Sequence, residues 1–395
     1  MLDNYTPSQQ RAKGTFASGR NILLTGNPGA GKTAVLEDIC EESRANGKRV
    51  LTTGSTGMAA ANLEGGRTIH SALGWFPRGT NFNIEVCARA MAECDLLILD
   101  EISMLGKDIL DHFMKCYKSL PDKPQLIFSG DFFQLPPVRD DYPFEHAQWN
   151  DLALTPCFLK EVVRQQDPVF KAMLERAMLG DPSCIDYFNT ATSPKKIDGA
   201  ICLCTLNKYA DEINKMQFDA LPGTAKVYGA LGDTAQANFR NARIQCYLSL
   251  KKGMRVMALR NTADYQNGSL GTVLDMDDDT IVVRFDAGKT VAIGRVDYYL
   301  ESTRNRTDTV CIEQFPIIGG YAITIHKSQG QTFDAVNIKA PNCWEPGQLY
   351  VALSRCRTIK GMHLMDPITA ESLKTDARVI QYYMNLQNEN DFDAA

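Results

Sequence analysis

The sequence has no Cys-x-x-Cys pair, no low-complexity tract and no apolar run approaching the length needed to span a bilayer. Its twelve cysteines are scattered through 395 residues, and the polar start MLDNYTPSQQRAKG carries no secretory signal. They therefore read as reduced, mostly buried thiols and not as a disulfide framework. The closest pair, Cys202 and Cys204, lies in the apolar stretch Ile201 to Leu206, where strand alternation puts both side chains on one face; a metal site is not expected there. Positive charge is also in short supply. The net charge of -5 gives no global attraction for a polyanion, and the local cluster of Lys251, Lys252, Arg255 and Arg260 fits a solvated face as well as a basic groove.

What is present is enough apolar material to fold. Hydrophobic residues make up 44% and charged residues 23%, so the whole chain should be ordered apart from a loose tail at Asn388 to Ala395. The length suits two domains of common size with insertions.

The most specific signal is the strand Asn21 to Thr25 running into Gly26-Asn27-Pro28-Gly29-Ala30-Gly31-Lys32-Thr33, followed by an amphipathic helix that ends near Gly47. This is a P-loop in its proper strand-loop-helix context. The glycines let the backbone curl so that its N–H groups and the helix N-terminus face phosphates, Lys32 adds charge, and Thr33 offers a hydroxyl to Mg²⁺. A second strand, Leu96 to Leu99, delivers Asp100 and Glu101 to the sheet edge where ligands bind in parallel α/β proteins. Asp100 is suited to hold Mg²⁺ through water, and Glu101 to orient and deprotonate an attacking water; taken alone, the pair could equally cap a helix beginning near Ser103. A third strand, Gln125 to Ser129, ends in GDFFQLPPV, whose prolines stop regular pairing and leave Gln134 at the same edge. Gln134 is either a γ-phosphate sensor or a turn held by its amide.

Ordered blocks along almost the whole chain carry a resemblance: Thr6-Pro7-Ser8-Gln9, GNPGAGKT, TGSTGMAA, TIHSALGW, LILDEISM, FSGDFFQLPPV, LKEVVRQQDPVF, LKKGMRVMALRN, NGSLGTV, YAITIHKSQGQTF and GQLYVALSRCR. The sequence resembles the superfamily-one helicases, and among them the Pif-type group, which the segment Asp100 to Leu120 also looks like. The resemblance implies an α/β fold with two RecA-like P-loop domains, a small SH3-like β-barrel inserted in the second and a short insertion in the first. It implies ATP and Mg²⁺ as cofactors and single-stranded and forked duplex DNA as partners. It further implies movement from 5′ to 3′, a monomer in solution able to dimerise on DNA, and a cytoplasmic or nucleoid-associated location without membrane contact.

Roles for single residues follow from the same resemblance. Gln9 would read the adenine edge, and Gly330 would join the nucleotide site. Arg164 and Arg355 would be arginine fingers reaching the γ-phosphate across a cleft between the cores, each contributing about 10³ to 10⁵ in rate. In the helix beginning near Gly347, Leu349, Ala352, Leu353 and Cys356 form an apolar stripe, and Arg355 lies off it, free to project. The DNA-facing set would be Ser55, Thr56, Thr68, His70, Phe133, His326, Lys327 and Ser328: hydroxyls and amides grip phosphates, and rings stack on bases for about 1–3 kcal/mol each. Trp75 and Phe76, with Pro77, are either a wedge that splits duplex or a small core against the first domain.

The expected organisation is a first core over residues 1–158, with a small insertion near 71–90, and a second over 159–260 and 315–395. Helical periodicity at 169–179 and 209–218 continues the α/β pattern. Between 261 and 314, turn signals at Asn267-Gly268 and Ala287-Gly288 with strand-like runs at 280–285 and 290–293 mark the barrel. A closing helix is expected from Asp376 to Leu386.

Overall fold

The computed structural model describes residues 5–55, 63–73, 84–239, 244–265, 267–304 and 309–393. It divides into two compact units: Met1–Trp75, Phe82–Ile197 and Ile325–Ala395 in one, and Phe76–Asn81 with Asp198–Thr324 in the other.

The first unit is built on a six-stranded sheet of β1 (Ile22–Gly26), β2 (Val50–Gly54), β3 (Arg67–Thr68), β4 (Leu96–Asp100), β5 (Gln125–Gly130) and β6 (Thr155–Leu159). The order is β3-β2-β4-β5-β1-β6 and the pairings are parallel. The central strands read as unbroken apolar runs because helices cover both faces. Alternation then sorts their side chains. Ile22, Leu24, Leu96, Ile98 and Ile127 pack with Ala12 and Phe16 of the helix Pro7–Ala17 and with Val35, Leu36 and Ile39 of the helix Lys32–Ala45. Leu23, Leu97, Leu99, Leu126 and Phe128 belong to the opposite cluster, with Leu110, Phe113, Met114 and Tyr117 of the helix Lys107–Ser119.

That second cluster also holds Val379 and Tyr383 of the last helix, Ala377–Asp393. This helix runs beyond the expected Leu386 and through most of the segment expected to be a loose tail. Its Tyr382 ring stacks on Phe144 at 4.2 Å, and the Tyr382 hydroxyl accepts from Trp149 Nε1 at 3.2 Å. Packing against aromatic partners thus orders a helix whose own sequence is only weakly amphipathic. Because the strands are parallel, the ends of β1, β2, β4, β5 and β6 all emerge at one edge, with Gly54 opposite Asp100, Thr25 opposite Gly130 and Gly26 opposite Leu159.

In the second unit, the strand Ile201–Cys204 runs parallel to Ala322–Thr324, and Asn214 of the helix Asn207–Ala220 clamps the latter through both backbone groups of Ala322, at 2.7 and 3.0 Å. Cys202 and Cys204 share a face as alternation requires, with Sγ atoms 3.8 Å apart. The rest is antiparallel. A five-stranded sheet joins Thr290–Ile293, Ile281–Phe285, Leu270–Met276, Arg255–Ala258 and Ile317–Gly319 in that order. A three-stranded sheet joins Val296–Glu301, Thr309–Gln314 and Leu231–Gly232. Val256, Val273, Ile281, Val283, Phe285 and Phe315 are buried in its core.

Candidate functional site

The loop between β1 and the helix Lys32–Ala45 is shaped by what its glycines lack. Gly29 and Gly31 have φ of +83° and +84°, and a Cβ on them would lie 2.3 Å from Arg164 Cβ and 2.4 Å from Gln9 Nε2. Two neighbours therefore press directly on the loop backbone. Val163 and Arg164 donate their backbone N–H groups to Gly29 O at 2.9 and 3.1 Å, and Gln9 Nε2 donates to Ala30 O at 2.9 Å. Gln9 Oε1 in turn accepts from Thr6 N at 2.9 Å in a capping box that starts the first helix. The amide expected to read a base edge is thus engaged at both ends, its nitrogen on the loop and its oxygen in the helix cap. Lys32 Nζ donates to Gly26 O at 2.6 Å and more weakly to Asn27 O at 3.4 Å. Thr33 sits half-buried in the first helical turn, and Pro28 links the two halves of the loop.

Three carboxylates surround this ammonium. Asp100 ends β4 and Asp131 follows β5; both are buried. Burial drives the Asp100 carboxyl above its ordinary range, the neighbouring Glu101 charge adds to the shift, and the Lys32 charge opposes it. Burial likewise raises Asp131 to about 6, with Lys32 pulling the other way. Burial lowers the Lys32 pKa, while Asp131, Glu101 and Asp100 counter it. Glu101 itself adopts a left-handed backbone at φ 53°, a conformation that costs a non-glycine residue about 1–3 kcal/mol and marks sites where geometry outweighs relaxation. Its carbonyl oxygen accepts from Ser55 Oγ at 2.6 Å. In place of a helix starting near Ser103, a single 3-10 turn, Ile102–Met104, follows, and the helix proper begins at Lys107.

The two expected arginine fingers lie beside these groups. Arg164 donates through Nη1 to Ser354 O at 3.2 Å. Burial lowers its pKa to about 9, and repulsion from Arg355 is the next cause. Arg355 does not stand free of an apolar stripe as expected: the helix Gln348–Ser354 is buried on every side, and Arg355 at its C-cap is only 1% exposed. Its guanidinium is held by Val351 O at 2.9 Å, Ser354 Oγ at 2.7 Å and Gln331 O at 3.3 Å, and it reaches Gln134 Oε1 at 3.3 Å. Gln134 Nε2 points back to Asp131 Oδ2 at 3.4 Å. A half-buried and a buried cation that repel each other, opposed mainly by the Glu101 charge, make a setting suited to an additional anion.

The residues expected to face DNA divide into several groups. Thr56, Trp75 and Phe76 lie outside the described residues, and His70 is placed only as a member of the short helix Ile69–Ala72. Ser55 is bonded to Glu101 as above, and Thr68 ends β3 opposite Gly54. Phe133 is half-buried and stacks face to face on Tyr383 at 5.0 Å and 7°. In the 3-10 turn His326–Ser328, Lys327 is exposed, but the Ser328 hydroxyl is buried and donates to Ile325 O at 2.7 Å. His326 Nε2 lies 2.7 Å from Glu345 Oε2. Gly330 follows with φ 77°.

Sequence reasoning missed Asp131, Glu345, Gln329 and Tyr383. Asp131 had a usable signal, since it follows a buried strand as Asp100 ends one. The others meet their partners only through the fold. Gln329 Nε2 donates to Glu101 Oε2 at 3.3 Å and to Ser103 Oγ at 3.2 Å, and the Tyr383 hydroxyl is 2.7 Å from Thr25 Oγ1.

A glycine-rich loop, carboxylates at the end of the adjacent strands and two guanidiniums, all beside one edge of a parallel sheet, give the layout of a RecA-like P-loop fold. Comparison with known proteins narrows this. An AAA domain model matches residues 4–195, and a UvrD-like helicase C-terminal domain model matches residues 319–358. The ATP-dependent DNA helicase PIF1 of Xenopus laevis is 31% identical over 95% of this chain, which spans 63% of that protein's own length. The crystal structure of Pif1 helicase from Candida albicans superposes with a TM-score of 0.84 at 28% identity, covering 98% of this chain and 100% of the other. That of a Bacteroides Pif1 helicase in complex with ADP-AlF3 and single-stranded DNA gives 0.74 at 30% identity, covering 97% of each. The chain belongs to the Pif1 family of helicases.

Proposed function

We propose that this protein is an ATP-driven DNA helicase that moves from 5′ to 3′ on single-stranded DNA and separates duplex at a fork. The observation that carries the reading is the gathering of Lys32, Asp100, Glu101, Gln134, Arg164 and Arg355 around one P-loop, with the half-buried Arg164 and the buried Arg355 both drawn to the Glu101 charge. In this reading, the loop from Gly26 to Thr33 cradles the β- and γ-phosphates, with Gln9 and Gly330 at the margins of the nucleotide. Thr33 and Asp100 would hold Mg²⁺, which supplies charge neutralisation at the phosphates. Glu101 takes a proton from water as the water oxygen bonds to the γ-phosphorus and the bridging bond to the β-phosphate breaks, leaving ADP and phosphate. Arg164 and Arg355 stabilise the charge that develops on the transferred group, and Gln134 reports it to Arg355.

The finer architecture is part of the same proposal. Residues 1–158 form the first RecA-like domain, 159–260 and 315–395 the second, and 261–314 the inserted SH3-like barrel. ATP binding draws the cores together and hydrolysis releases them, so that two grips on DNA alternate in strength. Lys327 and His326, together with Ser55, Thr68 and Phe133, contribute to those grips; the enzyme acts as a monomer in solution, can pair on DNA, and works at the nucleoid.

ATP turnover with and without single-stranded DNA, followed by strand separation on duplexes tailed at either end, tests all of this. DNA-stimulated turnover with unwinding of the 5′-tailed substrate is expected. Turnover indifferent to DNA would indicate a nucleotide switch instead, and stimulation without strand separation a translocase that only displaces proteins. Lys32→Ala and Glu101→Gln should each abolish steady-state hydrolysis with the fold intact, leaving only a residual rate that single-turnover conditions detect.

A further inference from the structure

Gln329 has no part in the mechanism above, yet it touches the residue at its centre. It is 5% exposed and closes the turn that contains His326. Its Nε2 donates to Glu101 Oε2 and to Ser103 Oγ, while its Oε1 is buried and accepts no hydrogen bond among the described residues. The orientation of the amide follows from chemistry: an ionised carboxylate only accepts, so the nitrogen must face it.

We propose that Gln329 is the positioning residue that fixes the Glu101 carboxylate for attack and ties it to the His326 turn, so that DNA on that turn sets the geometry of hydrolysis. The proposal rests on the reading of Glu101 as the group that activates water. A glutamate has a long rotatable side chain, and a base that must meet water within a fraction of an ångström needs an external restraint. The backbone of Glu101 is already restrained by its left-handed conformation and by Ser55, and Gln329 supplies the corresponding restraint on the side chain. A neutral donor suits this task. It holds one carboxylate oxygen and leaves the other free for the water, whereas a lysine or arginine at 329 would pair with Glu101 and reduce its basicity. The unpartnered Oε1, on the same amide carbon, offers an acceptor for a water held beside the carboxylate. Gln329 directly follows Ser328, so a shift of the turn on binding a polyanion is transmitted to the amide within one residue.

The test is Gln329→Met, which keeps length and burial but removes the donor. Turnover at saturating DNA should fall about tenfold or more, with KM for ATP and the DNA dissociation constant within about twofold of the parent and an unchanged melting temperature. In a Glu101→Gln background, single-turnover hydrolysis should show no additional loss on adding Gln329→Met, because the amide acts through that carboxylate. Multiplying losses, a wild-type rate in Gln329→Met, or a loss residing in KM or DNA affinity would each overturn the proposal. If Gln329→Met does not fold, Gln329→Asn, polar but one methylene too short to reach Glu101, should give the same pattern. Wild-type turnover in Glu101→Gln alone would instead remove the underlying reading of the base.

Discussion

Replacing Tyr383 by Phe removes a single oxygen from the joint between the last helix and the P-loop sheet. That oxygen accepts from Phe132 N at 3.2 Å and shares a hydrogen with Thr25 Oγ1 at 2.7 Å, all in buried surroundings. The ring stays, with its stack on Phe133 at 5.0 Å and its contact with Phe158 at 6.1 Å. The Phe132 N–H has no means of turning elsewhere, and leaving it unpaired costs about 1–3 kcal/mol. The Thr25 hydroxyl can rotate to another acceptor, so its loss is nearer 0–1 kcal/mol, and roughly the same amount returns because a phenolic oxygen no longer has to be desolvated. The net destabilisation is therefore about 2 kcal/mol. Urea unfolding read through Trp149, whose ring lies 5.8 Å from Phe128 in the same cluster, reports on this unit when Trp75 and Trp344 are replaced by Phe. With a slope of about 2–3 kcal/mol per molar urea, the midpoint should fall by roughly 0.7–1 M. A shift below about 0.2 M would show that this hydroxyl does not hold the helix in place.

Other perturbations test the site itself. Arg355→Lys keeps a charge but cannot serve Val351, Gln331, Ser354 and Gln134 together, so ATP turnover should drop about 10³-fold, close to the effect of Arg355→Ala; recovery of most activity by lysine would argue that charge alone matters. Because burial raises Asp131 to about 6, the folded chain keeps a proton that the unfolded chain has lost between about pH 4 and 6, and this group makes stability rise as pH falls through that window. Asp131→Asn should flatten that slope in denaturation midpoints measured across the window; an unaltered slope would assign it to other groups. Glu345→Gln removes a carboxylate beside His326 and should tighten single-stranded DNA binding by about threefold in low salt, as read by fluorescence anisotropy, with the gain shrinking as salt is added; weaker binding would mean that Glu345 positions the ring for DNA. Gly31→Ala, with a Cβ 2.4 Å from Gln9 Nε2 at a φ of +84°, should abolish nucleotide binding by equilibrium dialysis while the helix Pro7–Ala17 loses its contact with the loop; unchanged affinity would refute the account of the loop's shape.

The P-loop and Asp100 could be read from the sequence because their chemistry is local: a few consecutive residues between a strand and a helix fix both conformation and function. Strands with continuous apolar runs, such as Leu96–Asp100, were legible for the same reason. Side chains whose partners are distant in sequence were not. Gln329 reaches Glu101 across 228 positions, and the burial of Arg355 depends on surroundings that an apolar stripe along one helix does not describe. Gln9 shows a related limit, since a residue type suited to a base edge is equally suited to a backbone carbonyl, and only the fold shows that Ala30 takes its amide. The helix Ala377–Asp393 outruns its expected end because its polar residues after Leu386 give no periodic signal, although its aromatic anchors at Tyr382 and Tyr383 lie before that point.

Thr25 lies in β1, yet its hydroxyl partner lies 358 positions later. At about 5–20 residues per second, that strand waits roughly 20–70 s during synthesis for this partner to be made. Until then the aromatic surface that will receive the helix Ala377–Asp393 is uncovered, and a nascent chain stalled before that helix is made would present it to chaperones and proteases although every residue of the phosphate loop had already been added.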